Sequence, residues 1–479
     1  MRNKLFALAF LACAACCGAA ETNIERKGNM EIITDFNSAY TGLQTIRILL
    51  PDNYDGSSAH YPVLYMHDGQ NLFSDDDAVF GASWDLPKTL KRLKAQKRMK
   101  DIIVVAVDSR PSREDDYTPY PGPEGTGGHA AEYANFLCLE LIPYVDNNYR
   151  TVANAGGRAV MGSSHGGLLS LYLALTKNQS FSMFGVMSPS VWFAKDALFK
   201  EIEKTVFPKD IKIWLDCGVY ETRNIKDSWA ETFPSDVAEL YYALRAKKLV
   251  YGKNLLFMLD ENGVHHEKSW AARMEYPLLQ FFGTRPRGAI VKAEGRVLPS
   301  ALTLHPPQKT LFWGRVKFAD GTIADYLPDT AKSSPPYLSW DGRGWFSLRS
   351  GAEAGQVRLS AEAEGKKFTS AVTLAANLTR TFEFEVRVPA GTKGDVFIAG
   401  QTPALGDWKA DGIRLIPFKK NPTIRHARVR LALGTPVQFK FTLGDWDAVE
   451  KGKSGKDIAN RVLVPGPVAR KIRFKVESW

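Results

Sequence analysis

The sequence predicts an α/β fold with a mostly parallel sheet over residues 21–285, followed by two small all-β sandwich domains over 286–378 and 379–479. Three observations carry this reading. Strand-like apolar runs alternate with helical patterns up to about residue 285, as expected when helices cover both faces of a parallel sheet. One such run, Arg158-Ala-Val-Met, meets Gly162-Ser163-Ser164-His165-Gly166 and passes at once into a helical pattern. After Phe282 the texture changes to short alternating strands with turns at Asp320-Gly, Pro328-Asp, Asp341-Gly and Glu364-Gly.

At 479 residues the chain is too long for one core, and 44% hydrophobic with 24% charged residues is a globular composition. The N-terminus differs. Arg2 and Lys4 precede an apolar run from Leu5 to Cys17, and Gly18-Ala19-Ala20 supplies small residues before Glu21. This is the pattern of a cleaved signal peptide over 1–20, too short to span a bilayer. Export to the periplasm or the medium is expected, with lipid anchoring through Cys16 or Cys17 the less favoured outcome. No later run reads as a transmembrane segment. Cys138 and Cys217 remain in the mature chain, paired or simply buried. The formal charge of +10 becomes +8 without Arg2 and Lys4. Its densest cluster, Lys88 to Lys100, reads as a solvated helix face, and no nucleic-acid-binding motif accompanies it.

Taken in order, the first domain opens with strands at Thr45–Leu50 and Tyr61–Met66, the latter followed by His67-Asp-Gly-Gln-Asn-Leu-Phe73. A helix from about Leu86 leads to the continuous strand Ile102–Val107, and Ala130–Val145 reads as a helix. After the Ser164 unit come strands at Phe184–Met187, Ile211–Leu215 and Leu255–Leu259. Helices lie near Ser235–Lys247 and Glu267–Phe282.

A G-x-S-x-G turn between strand and helix holds its serine on a strained elbow, where a Cβ on either flank would clash. Ser164 is therefore the candidate nucleophile, with the backbone N–H of His165 as an oxyanion donor. A serine nucleophile needs a base, and the base needs a carboxylate to orient it. The glycine-bearing loop Asp260-Glu-Asn-Gly-Val-His-His-Glu-Lys-Ser-Trp270 offers His265 and His266. The stretch Asp216-Cys-Gly-Val-Tyr-Glu221 offers two acids, in the chain order Ser, acid, His. His265-His266-Glu267 lacks the i, i+4 histidine pairing of zinc helices, and Asp75-Asp76-Asp77 lacks the spacing of a calcium loop. Neither metal nor cofactor is expected. Trp84 and Trp270 read as core anchors.

Tyr61–Phe73, Leu141-Ile-Pro-Tyr-Val-Asp146 with Tyr149-Arg-Thr151, the Ser164 elbow, Ser188-Pro-Ser-Val-Trp192 and Gly263–Trp270 together resemble a family of esterases within the α/β-hydrolases. That family includes feruloyl and acetylxylan esterases, siderophore esterases and formylglutathione hydrolases. The resemblance covers most of residues 35–285. It implies Ser164 as nucleophile, His265 as base and Glu221 as acid, with Asp216 the alternative acid. It further implies the Gln70 backbone N–H as second oxyanion donor and Trp192 as a pocket residue. His165 departs from the family pattern, in which Met or Leu follows the serine.

Residues 286–378 read as an immunoglobulin-like β-sandwich without clustered polar chemistry. From about 379, strict alternation at Thr381–Val388, then Asp395–Trp408, Val437–Trp446 and Asn460-Arg461, is similar to starch-binding carbohydrate-binding modules. The resemblance implies sugar contacts at Trp408 and Lys440. It lacks the tryptophan usual before the Asn-Arg pair, since Trp446 lies earlier. The expected partners are an ester substrate and, through this module, polysaccharide. The expected function is that of an exported serine esterase working through an acyl-enzyme on acyl or feruloyl esters of carbohydrate. A siderophore esterase acting on a catecholate trilactone is the alternative within enzymes. Outside them stands a non-catalytic glycan-binding protein with an inactive hydrolase fold.

Overall fold

The structure is a computed structural model describing residues 23–122, 125–221, 233–303, 308–375, 379–433, 436–466 and 471–479. The leader expected over 1–20 lies outside these residues. The chain forms two compact units, 1–293 with 315–327, and 294–314 with 328–479.

The first unit is built on strands β1 (Ile24–Lys27), β2 (Met30–Ser38), β3 (Gly42–Leu49), β4 (Val63–His67), β5 (Ile103–Val107), β6 (Arg158–Ser164), β7 (Met183–Pro189), β8 (Lys212–Gly218) and β9 (Leu255–Asp260). Their order is 1-2-3-5-4-6-7-8-9. The β1–β2, β2–β3 and β3–β5 pairs are antiparallel, and every pair from β5 to β9 is parallel. Strands β4, β5 and β7 are buried along their whole length, the reason their sequences are continuously apolar rather than alternating.

Helices α1 (Leu86–Ala95), α2 (Arg113–Tyr117), α3 (Ala130–Asn135), α4 (Ile142–Asn148), α5 (His165–Thr176), α6 (Lys195–Lys204), α7 (Phe233–Ala246), α8 (Glu267–Arg273) and α9 (Glu275–Phe282) complete the unit. The long helix expected over Ala130–Val145 carries one wide π turn at Phe136–Leu141 between α3 and α4. The helix expected over Glu267–Phe282 is divided between α8 and α9 at Met274. Helix α5 is apolar nearly all round and buried at all but two of its positions, as suits a helix enclosed by sheet and neighbouring helices. On α1 only Leu86 and Leu93 are buried, while Lys94 pairs with Asp101 and Arg92 with Glu275, so its basic face is solvated and partly neutralised.

Because β4 pairs with both β5 and β6, strand order reverses there. The crevice beyond the carboxyl ends of β4 and β6 is the topological switch point at which such sheets bind ligands.

Residues 315–327 return to the first unit and cover the outer edge of β9. Strand Ile323–Tyr326 pairs antiparallel with it at Asp325 and Phe257. The buried Asp325 accepts the Leu259 N–H at 2.7 Å and a two-pronged contact from Arg315 at 2.8 Å. Arg315 also donates to the Leu259 carbonyl and to Glu261.

In the second unit, Ala301–Thr303, Lys366–Ala375, Gly355–Ala363 and Lys332–Ser334 form one sheet. Trp345–Leu348 and Leu338–Trp340 pair beside the strand that begins at Lys309. Farther on, seven strands from Thr379 to Lys475 surround a core that includes Phe382, Phe384, Ile398, Leu415, Phe439 and Phe441. All its pairs are antiparallel except Thr379–Arg387 with Lys471–Lys475. Cys138 and Cys217 are both free thiols. No helix of the described residues is long and apolar enough to cross a membrane.

Candidate active site

Ser164 ends β6 and begins α5 with φ 59° and ψ −123°, a conformation costly for any residue with a Cβ. Its flanking glycines allow the turn. A Cβ on Gly162 would stand 2.8 Å from the His67 ring and one on Gly166 3.2 Å from the His67 Cβ, while one on the next residue, Gly167, would stand 2.4 Å from the Met187 carbonyl. The backbone therefore runs close against β4 and β7, and the Ser164 hydroxyl projects into the crevice.

His265 Nε2 lies 2.9 Å from Ser164 Oγ, and His265 Nδ1 lies 2.7 Å from Glu221 Oε2. The two loops that bring base and acid together touch at glycines. A Cβ on Gly218 would meet the Gly263 carbonyl at 2.5 Å, and Tyr220 N–H donates to that same carbonyl at 2.9 Å. The imidazole stands edge-on between the rings of Phe233 and Trp270.

Burial alone would push Glu221 upward, but the hydrogen bond and charge of His265, the charge of Arg273 and the Ser188 hydroxyl hold it below the ordinary carboxyl range. It is thus a carboxylate placed to accept an N–H at His265 Nδ1, and the tautomer that makes this bond turns an acceptor Nε2 toward Ser164.

Asp216, the alternative acid, points elsewhere. It is fully buried and accepts from Arg273 Nε at 2.9 Å, Trp214 Nε1 at 2.7 Å and the Ser188 N–H at 3.2 Å. Burial raises its pKa, with Arg273 and Trp214 opposing. Both of its oxygens are thus engaged, and His265 is not among their partners.

Gln70 occupies a single 3-10 turn, Gly69–Asn71, at the end of β4. Its side chain is fixed by a reciprocal pair with Ser109, Nε2 donating to Oγ at 2.6 Å and Oε1 accepting the backbone N–H at 2.9 Å. Asp68, at φ 57°, receives both prongs of Arg113 at 2.6 and 2.8 Å, and its N–H donates to Tyr117 Oη. The turn bearing the Gln70 N–H is therefore held from two sides.

A cavity of about 370 Å³ opens beside Ser164 and His265. Gln70, Arg113 and Ser109 supply polar wall, and Val79, Phe80, Trp84 and Trp270 supply apolar wall. Trp84 and Trp270 are at once core anchors, 3% and 5% exposed, and pocket residues. Trp192 is not among the lining residues; its ring lies 6.1 Å from that of His165. The His165 side chain turns away from solvent against Trp192 and Phe193, and burial pushes its pKa down to about 4. His266 caps α8, its Nδ1 accepting the Lys268 N–H, and contributes to the cavity rim. Asp75 accepts the Ser83 N–H and hydroxyl, and Asp77 pairs with Arg47, so both carboxylates brace the 74–85 loop.

Ser188, Ser190 and Arg273 also lie at the site, although none was singled out individually by sequence. Ser190 Oγ is 3.3 Å from Ser164 Oγ. The signal was Ser188-Pro-Ser190 itself, a stretch similar to the esterase family but without an assigned role.

In the second unit Trp408, at φ 56°, is 36% exposed, and its ring lies 6.4 Å from that of Trp446, which is 45% exposed. Trp446, which lies earlier in sequence than the tryptophan usual before the Asn-Arg pair, is thus a neighbour of Trp408 in space. Lys440 Nζ donates to the Ile458 carbonyl at 2.7 Å, and Arg461 is paired with the buried Glu450.

A mixed sheet with an ordered serine, histidine and carboxylate above the switch point defines the class as an α/β fold of hydrolase type. Comparison with known proteins gives the family. The model described as "Putative esterase" matches residues 39–281, and the starch binding domain model matches residues 358–462. The chain belongs to this esterase family and carries a starch-binding domain. It is 22% identical over 248 residues to the uncharacterized protein YbbA of Bacillus subtilis, covering 50% of this chain and 94% of that one. To an endo-1,4-beta-xylanase/feruloyl esterase of Xylanibacter ruminicola it is 25% identical over 201 residues, covering 40% of this chain and 25% of that one. To a siderophore enterobactin esterase of Emericella nidulans it is 30% identical over 97 residues, covering 19% of this chain and 32% of that one. The chain therefore spans nearly all of the first relative and a third or less of the other two.

Proposed function

We propose that this protein is an exported serine esterase that hydrolyses acyl or feruloyl esters of carbohydrate through an acyl-enzyme. The observation that carries the reading is the unbroken line Ser164 Oγ–His265 Nε2, His265 Nδ1–Glu221 Oε2 at 2.9 and 2.7 Å, opening on a cavity. In this reading Ser164 attacks the ester carbonyl as His265 takes its proton, and Glu221 stabilises the resulting imidazolium. The oxyanion is met by the backbone N–H groups of His165 and Gln70. The alcohol departs with the proton held by His265, and water then enters by the same route in reverse to release the acid.

A carbohydrate ester is favoured over a catecholate trilactone because the chain carries a starch-binding domain, in which Trp408 and Trp446 offer neighbouring exposed rings to a sugar face. Export rests on the leader pattern at 1–20. The test is turnover of acetylated xylan, feruloylated sugars and a catecholate trilactone by the purified protein. Preference for either carbohydrate ester supports the proposal, and preference for the trilactone overturns its substrate class. No turnover of any ester, by a folded protein, returns the chain to a glycan-binding role.

A further inference from the structure

Ser188 sits at φ 37° near the end of β7, a positive value that a side chain adopts only when its surroundings compel it. It is fully buried, and its hydroxyl is saturated. Trp270 Nε1 donates to Ser188 Oγ at 3.0 Å, and Arg273 Nη2 donates to it at 2.5 Å. Both partners are donors only, so the hydroxyl hydrogen has one acceptor left, Glu221 Oε1 at 2.7 Å. That same oxygen accepts the Gly218 N–H. With Oε1 occupied, the carboxylate presents Oε2 to His265.

From this geometry we infer that Ser188 is a positioning residue for the acid, coupling the buried guanidinium of Arg273 to Glu221 and fixing which carboxylate oxygen faces the imidazole. Arg273 is 1% exposed and is balanced by Asp216, which holds its Nε, while Nη1 reaches toward Asp260 at 3.4 Å and Nη2 lies 3.6 Å from Glu221 Oε1, a direct ion pair that the Ser188 hydroxyl bridges with shorter hydrogen bonds. Asp216, the rejected acid, thus has a task of its own: it anchors the cation that Ser188 couples to Glu221. Helix α8 begins two residues after His265 and carries both Trp270 and Arg273, so base and acid are located by one rigid element. The inference rests on the esterase reading.

The test compares Ser188→Ala with Ser188→Gly in the full chain, using p-nitrophenyl acetate. Glycine accepts positive φ without strain, whereas alanine does not. A role confined to backbone conformation would therefore leave the glycine variant active. Loss of a hydrogen bond to a charged group predicts instead that both variants lose about tenfold or more in kcat at unchanged KM. Ser188→Gly should melt no lower than Ser188→Ala, so it reports even where alanine does not fold. Wild-type kcat in Ser188→Gly, a loss confined to KM, or a glycine variant that melts below the alanine variant overturns the inference. A wild-type protein no faster than Ser164→Ala would instead sink the esterase reading and not this assignment alone.

Discussion

Glu221 Oε2 stands 2.7 Å from His265 Nδ1, whereas Asp216, five residues earlier and at the end of the strand, has both oxygens engaged by Arg273, Trp214 and the Ser188 backbone. Parallel substitutions separate the two carboxylates. Glu221→Gln should lower kcat about a hundred- to ten-thousand-fold, because an amide neither fixes the tautomer nor balances the imidazolium. Asp216→Asn should retain far more activity but lose about 3 kcal/mol of unfolding free energy, since it leaves a buried guanidinium short of its counter-charge. Steady-state kinetics and urea unfolding on both variants check this, and the reverse pattern would contradict the assignment.

His165 and His67 are buried imidazoles whose pKa values burial pushes down from 6.5 to about 4. Between these values the unfolded chain binds protons that the folded chain refuses, so stability falls as pH falls from 6.5 toward 4. The slope reaches about 1.4 kcal/mol per pH unit for each histidine. Replacing His165 with leucine, a residue usual at this position in the family, should remove one of the two contributions. Urea midpoints at pH 7 and pH 5 should lie closer together in His165→Leu than in the wild type.

Asp325 closes the edge of β9, the strand that leads into the His265 loop. Asp325→Ala would leave the Leu259 N–H and Arg315 without their buried acceptor and should cost about 3–5 kcal/mol. Activity should decay at lower urea than in the wild type as this edge opens. A chain ended at residue 285 should show the same weakness, which expression and thermal melting would report.

Trp408 and Trp446 share one exposed patch in the starch-binding domain. If both rings stack on sugar, Trp408→Ala and Trp446→Ala should each abolish retardation of the protein in native gels containing soluble glucan. Retardation unchanged in both would remove this patch from any sugar-binding role.

Much of this was legible in sequence because its causes are local. The Ser164 elbow is a contiguous strand, turn and helix with glycines where backbone must touch backbone, and the apolar runs of β4 and β5 declare burial on both faces. Three things were not legible. The residues alone leave two acids open, Asp216 in β8 and Glu221 in the loop beyond it, with only the family resemblance favouring Glu221, and it is the folded loop, packed at Gly218 against Gly263, that carries Glu221 to the base. Arg273 looks like any basic residue ending a helix, so its burial beneath Ser188 has no sequence signal. Trp446 and the 315–327 return depend on pairings between distant segments, which alternation alone does not specify.

The central claim is that Ser164 is the nucleophile. The most direct measurement is intact-mass analysis and peptide mapping after treatment with a p-nitrophenyl phosphonate. One adduct on Ser164, formed in step with loss of p-nitrophenyl acetate turnover and absent from Ser164→Ala, is the result expected. Inactivation with Ser164 unmodified, or a Ser164→Ala protein that turns over ester like the wild type, would contradict it.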